Sequence, residues 1–118
     1  MEDDTIKLLR ECNAGIKMGI SSLDDVMEHV KDSTLENLLK KSKETHCKLG
    51  DKTHDYLREY HDEGKEPAPM AKVMSWMKTN VKLGGEDSDR VVADLITDGC
   101  NMGVKSLYRY LHQYQAAD

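Results

Sequence analysis

The sequence predicts an all-α fold, an up-down-up-down four-helix bundle whose third helix is short. Apolar residues recur at spacings of three and four along three long segments, which is the period of an amphipathic helix. The two prolines, Pro67 and Pro69, fall in one short segment, so helices can run almost uninterrupted elsewhere. No segment alternates apolar and polar residues over a useful strand length. Because the predicted connections are short, consecutive helices should be antiparallel neighbours.

Length and composition predict a single domain that covers residues 1–118. The chain is 38% hydrophobic and 33% charged, as expected of a globular protein. Its net charge is −5, and lysine and arginine are interleaved with aspartate and glutamate, so no basic stripe for nucleic acid is evident. The sequence has no bilayer-length apolar run, and its acidic start, Met1–Asp4, differs from a signal peptide. We therefore expect a cytoplasmic protein with neither nucleic acid nor membrane as a partner.

The first predicted helix spans about residues 4–30. Its apolar face consists of Ile6, Leu9, Ile16, Ile20, Leu23, Met27 and Val30. Asn13 falls on the same face, so a polar group should point into the core. The stretch Ser21–Asp24 has the composition of a capping box. It leaves open whether this helix is straight or bends there.

The second predicted helix starts with Ser33 as its N-cap and has Glu36 three residues later, the pattern of a capping box. It should end around Asp62–Gly64. Its inward face is more polar than that of the first helix. That face consists of Leu35, Leu38, Leu39, Ser42, His46, Leu49, Thr53, Leu57 and Tyr60.

A short third helix and a long fourth helix complete the predicted bundle. The third should direct Met70, Val73, Met74, Met77 and Val81 inward, with Trp76 beside them. The fourth should follow the Gly84–Gly85 turn, start after a cap at Asp87 or Ser88 and run from about 89 to 114. Its predicted inward face consists of Val92, Leu95, Ile96, Gly99, Met102, Gly103, Leu107 and Tyr110.

Two similar hexapeptides, Cys12–Lys17 and Cys100–Lys105, lie in the first and last helices. Each helix carries glycines four residues apart, namely Gly15, Gly19, Gly99 and Gly103. A glycine inside a helix costs about 1 kcal/mol relative to alanine, so some interaction should offset it. We expect the first and last helices to pack closely at these glycines. A cavity for a small apolar ligand is the alternative.

Several short motifs resemble those of a bacterial ferritin-like family of unknown function. Cys12-x-x-Gly15 resembles a cysteine and glycine motif of the family's first helix, and Cys100-x-x-Gly103 resembles its counterpart in the last helix. The stretch Met74–Lys78, with Trp76 at its centre, resembles the family's third helix, and 84–87 resembles the following turn. The resemblance implies a ferritin-like four-helix bundle.

The chain departs from this family at two acidic positions. The family has glutamate after each motif glycine, whereas this chain has Ile16 and Val104. Ferritin-like di-iron centres also need Glu-x-x-His on two helices, and here Asp51-x-x-His54 is the nearest match. We therefore expect no di-iron centre, and aliphatic side chains in the core where the carboxylates would be.

The three cysteines and one histidine allow an alternative site. Cys12, Cys47 and Cys100 fall one on each long helix, and His46 is next to Cys47. Thiolates with an imidazole suit zinc or copper(I). However, the cysteines are not closely paired in sequence, and a free cysteine is often simply a small buried residue. We favour packing over metal binding for these residues. The odd number of cysteines indicates a reducing compartment without disulfides.

No catalytic signature is present, so the sequence predicts a protein that is not an enzyme and has no cofactor. The predicted role is a structural or interaction module that forms a homodimer. Met70, Trp76 and the tyrosine-rich C-terminal segment are its candidate contact surface. The alternative is a metal-binding or redox and stress-related protein that uses the core cysteines and histidine.

Overall fold

The computed structural model describes residues 2–62 and 88–118, and over these ranges the chain is all-helical, with three helices and no strand. Helix α1 spans Glu2–Met27, α2 spans Ser33–Glu59 and α3 spans Ser88–Gln113. The predicted all-α class is confirmed. The predicted short helix between α2 and α3 lies outside the described residues, together with its methionines, Trp76, both prolines and the Gly84–Gly85 turn.

Helix α1 runs without a break through Ser21–Asp24, so that stretch does not start a new helix. It ends at Met27, three residues earlier than predicted. Two hydrogen bonds form the closing turn, from His29 N to the Val26 carbonyl at 3.0 Å and from Val30 N to the Met27 carbonyl at 3.2 Å. The chain therefore reverses within a few residues, and α2 returns along α1.

Two aspartate carboxylates accept hydrogen bonds from backbone amides at the turn between α1 and α2. Asp32, not Ser33, is the N-cap of α2, and its carboxylate accepts a hydrogen bond from Leu35 N at 2.8 Å. In a capping box a glutamate of the same helix would accept from the N-cap amide. Here Asp89 of α3 does so, accepting from Asp32 N at 3.1 Å and from Lys31 N at 2.6 Å. A long-range contact thus replaces the local one that the sequence predicted.

The apolar core lies beside this turn, where the end of α1 meets the beginnings of α2 and α3. Its buried members are Leu23, Val26, Leu39, Val92 and Leu95. Burying a leucine or valine side chain contributes about 1.5–3 kcal/mol. Ser88 is also buried here, and its hydroxyl donates to the His29 carbonyl at 2.9 Å. This cluster fixes the first half of α3 against α1.

The opposite end of α2 closes with a left-handed residue. His61 has a φ of 59°, and Asp62 N donates to the Leu57 carbonyl at 2.9 Å, while His61 N donates to the Arg58 carbonyl at 3.0 Å. This is the hydrogen-bond pattern of a Schellman motif. It ends α2 before Gly64, the glycine that the sequence suggested. It also places the Asp62 carboxylate 3.5 Å from Nε of Arg10 on α1.

Helix α3 runs antiparallel to α1 and is held at both ends. Its beginning contacts the α1–α2 turn, and the residues after it return to the start of α1. There Ala116 N donates to Asp4 at 3.1 Å, and Asp118 N donates to the hydroxyl of Thr5 at 2.7 Å. α1 is the common neighbour of the other two helices and packs more extensively against α2 than against α3.

None of these three helices combines the length and apolar character that crossing a bilayer requires.

Candidate functional site

A polar contact joins the middle of α1 to the second half of α2. Asn13 is 1% exposed, and its amide nitrogen donates to the Thr53 hydroxyl at 2.9 Å and to the Gly50 carbonyl at 3.3 Å. The Thr53 hydroxyl donates in turn to the same carbonyl at 3.0 Å. The sequence correctly predicted that Asn13 points inward. Because its partners are backbone and hydroxyl groups, the contact fixes the register of the two helices and contains no acid, base or nucleophile pair.

His46 lies one to two turns further along the same interface. Its Nδ1 is 2.7 Å from the Ser42 carbonyl, and since a carbonyl only accepts, Nδ1 carries the hydrogen. The ring packs against Gly19 of α1, where an added Cβ would lie 2.9 Å from Cδ2 and 3.1 Å from Nε2 of the imidazole. His46 therefore acts as a packing residue that needs glycine opposite it.

The glycines do not form the predicted contact between the first and last helices. Within the described part of the chain, no heavy atom outside the glycine's own helix backbone would come within 4 Å of a Cβ added to Gly15, Gly99 or Gly103. Gly19 does pack closely, but against α2. Gly50 of α2 is also tightly packed, since Ile16 Cγ2 would lie 3.2 Å from a Cβ added there. The close approach is between α1 and α2, and within the described part of the chain Gly99 and Gly103 of α3 take no part in it.

Ile16 and Val104, the residues that follow the two motif glycines Gly15 and Gly103, are separated as well. Ile16 is half-buried against Gly50, as expected of a core residue. Val104 is 54% exposed, so the prediction that it lies in the core is wrong. With Ile16 half-buried and Val104 exposed, the two positions do not share a core within the described part of the chain.

The candidate metal ligands are likewise dispersed. Cys12 and Cys47 are half-buried on α1 and α2, and Cys100 is exposed on α3. Burial, with a smaller effect from the neighbouring Glu11 carboxylate, raises the pKa of the Cys12 thiol. Within residues 2–62 and 88–118, no three histidine, cysteine, aspartate or glutamate side chains come together. The arrangement needed for zinc or copper(I), with Cys12, Cys47, Cys100 and His46 converging, is not formed.

An open pocket lies between the beginning of α1 and the end of α3, lined by Lys7, Arg10, Glu11 and Tyr114. Both of its cations are already paired within the chain. Lys7 Nζ is 2.9 Å from Asp3, whose hydrogen bond and charge raise the lysine pKa, and Arg10 pairs with Asp62. Aspartates thus partly neutralise both cations of this pocket, which weakens their attraction for an anionic ligand.

The second half of α3 carries the largest concentration of exposed apolar side chains in the described part of the chain. We call four of these residues, which share one side of the helix, the α3 apolar surface: Val104 at 54% exposure, Leu107 at 43%, Tyr108 at 71% and Leu111 at 54%. Met102, at 69% exposure, lies on the opposite side. Next to the α3 apolar surface, the rings of Tyr110 and Tyr114 stack with centroids 6.3 Å apart, and the Arg109 guanidinium lies 5.2 Å from the Tyr110 centroid. This surface is the candidate functional site.

The sequence predicted only part of this surface. It proposed the tyrosine-rich C-terminal segment as a contact region, and Tyr108 is in the exposed set. It wrongly placed Met102 and Leu107 in the core, because helical periodicity shows which residues share a face and not what covers that face. Leu38 and Leu49 of α2 were misplaced for the same reason and are 63% and 48% exposed.

Comparison of the chain with protein-family models, with curated proteins and with solved structures found no match. Over the described residues, the fold and the surface define the class of protein, an all-helical one with an exposed apolar helix face.

Proposed function

We propose that this protein is a non-catalytic helical module that acts through protein–protein contact and self-associates as a homodimer. The α3 apolar surface carries this proposal. Four of the eight large hydrophobic residues exposed in the described part of the chain lie on it, within eight consecutive residues. Single exposed hydrophobic residues are ordinary, whereas a contiguous group marks an interaction surface.

The position of the surface supports this role. Both ends of α3 are held to the rest of the molecule, at Asp89 and at Ala116, so the exposed residues lie on a supported helix and not on a fraying end. A helix presented in this way can contact a partner without first becoming ordered, which lowers the entropic cost of association.

We also propose the full four-helix bundle, with the remaining helix between α2 and α3. Asp62 lies beside the first half of α1, and Ser88 lies beside its end, so the chain between them connects opposite ends of the molecule. A short helix in this stretch, antiparallel to its neighbours, would complete the up-down-up-down order. The ferritin-like relationship remains a prediction. A homodimer through α3 requires that this helix leave the α3 apolar surface open.

Light scattering of the full chain over a range of concentrations tests the proposal. We expect a dimer mass at high concentration and a shift towards monomer on dilution. A monomer at every concentration would contradict self-association. Elemental analysis of the same protein, purified without chelator, tests the other class of function. A stoichiometric metal that is lost on Cys47→Ser would show that the protein is a metal-binding protein instead.

A further inference from the structure

We draw no further inference here: the strongest candidate, the exposed apolar surface of Val104, Leu107, Tyr108 and Leu111 on the second half of α3, carries none because nothing in the structure shows what covers it.

Discussion

Two glycines in one helix show how strongly a residue's role depends on what lies opposite. Gly15 and Gly19 are one turn apart on α1, and each removes helix stability by about 1 kcal/mol relative to alanine. Gly15 has no described neighbour that requires it, since a Cβ added there would meet nothing within 4 Å outside its own helix. Gly19 accommodates the His46 ring, and that ring is held in place by its hydrogen bond to the Ser42 carbonyl.

The two glycines should therefore respond in opposite ways to the same substitution. Gly15→Ala should raise the free energy of unfolding by up to about 1 kcal/mol, the difference in helix propensity. Gly19→Ala should lower it by about 1 kcal/mol or more, because the methyl group would displace His46 and overpack the interface. Urea unfolding measures both values. Equal effects of the two variants would mean that the His46 contact contributes nothing.

The cysteines differ in exposure in a way that the sequence did not show. Cys100 is exposed, whereas Cys12 is half-buried and its thiol pKa is raised, first by burial and then by Glu11. Because the thiolate is the reacting form, we expect Cys100 to be alkylated faster than Cys12 at mildly alkaline pH. Mass spectrometry of a time course measures the order, and Cys100→Ser should remove the fast reaction. Faster alkylation of Cys12 would contradict the structure.

The raised pKa of Cys12 also predicts how the stability of the fold changes with pH. Its folded-state pKa lies above the ordinary value of 9.0. The stability that this thiol contributes to the fold is therefore present below that value and is lost as pH rises through the folded-state pKa. Cys12→Ala should therefore make unfolding less sensitive to pH over this alkaline range. Thermal unfolding over a pH series checks this, and an unchanged pH dependence in the variant would contradict it.

At the scale of the helix, the end of α2 offers a matched pair of histidines. His61 has a φ of 59°, a conformation that glycine adopts without strain, whereas His54 is exposed in the helix interior. His61→Gly should raise the free energy of unfolding by about 0.5–1 kcal/mol, and His54→Gly should lower it by about 1 kcal/mol. The same substitution should thus change the free energy of unfolding in opposite directions at the two positions. Loss of stability in both variants, measured by urea unfolding, would show that α2 does not end in a Schellman motif.

Helix α3 shows that the bounds of a helix can be predicted well while its buried face is predicted wrongly. Its periodic pattern is broad enough for two apolar faces, and only the face with Val92 and Leu95 is buried in the core. The exposed residues Val104, Leu107 and Leu111 share the same three-and-four spacing, so periodicity alone does not separate the two faces. The hydrogen bonds from Lys31 N and Asp32 N to the Asp89 carboxylate fix the start of α3 at the α1–α2 turn, and so determine which face of α3 meets α1.

For the whole molecule, self-association should couple to thermal stability. A ligand or partner that binds only the folded state raises the apparent melting temperature by mass action. If α3 pairs between copies, the melting temperature of the wild type should rise with protein concentration, and that of Val104→Glu should not. Differential scanning calorimetry at several concentrations measures this. A melting temperature independent of concentration in the wild type would contradict the dimer.

Features that depend on local chemistry could be predicted from the residues alone. Helical period and the scarcity of proline predicted the all-α class, and the inward position of Asn13 followed from its place on the apolar face of α1. The chain could also be predicted to turn after Val30, since several residues there are good caps. These features depend on neighbours within one or two turns, which a sequence pattern records directly.

Which helix faces meet became clear only from the packing of the helices. The helix packing places His46 against Gly19, whereas no described residue contacts the space beside Gly103. It also exposes Val104, which the sequence had placed in the core. It also replaced the predicted capping box with Asp89, a residue far away in the chain. The physical reason is that helix packing depends on the crossing and separation of whole helices, and two apolar faces with the same period are equivalent until a neighbour covers one of them.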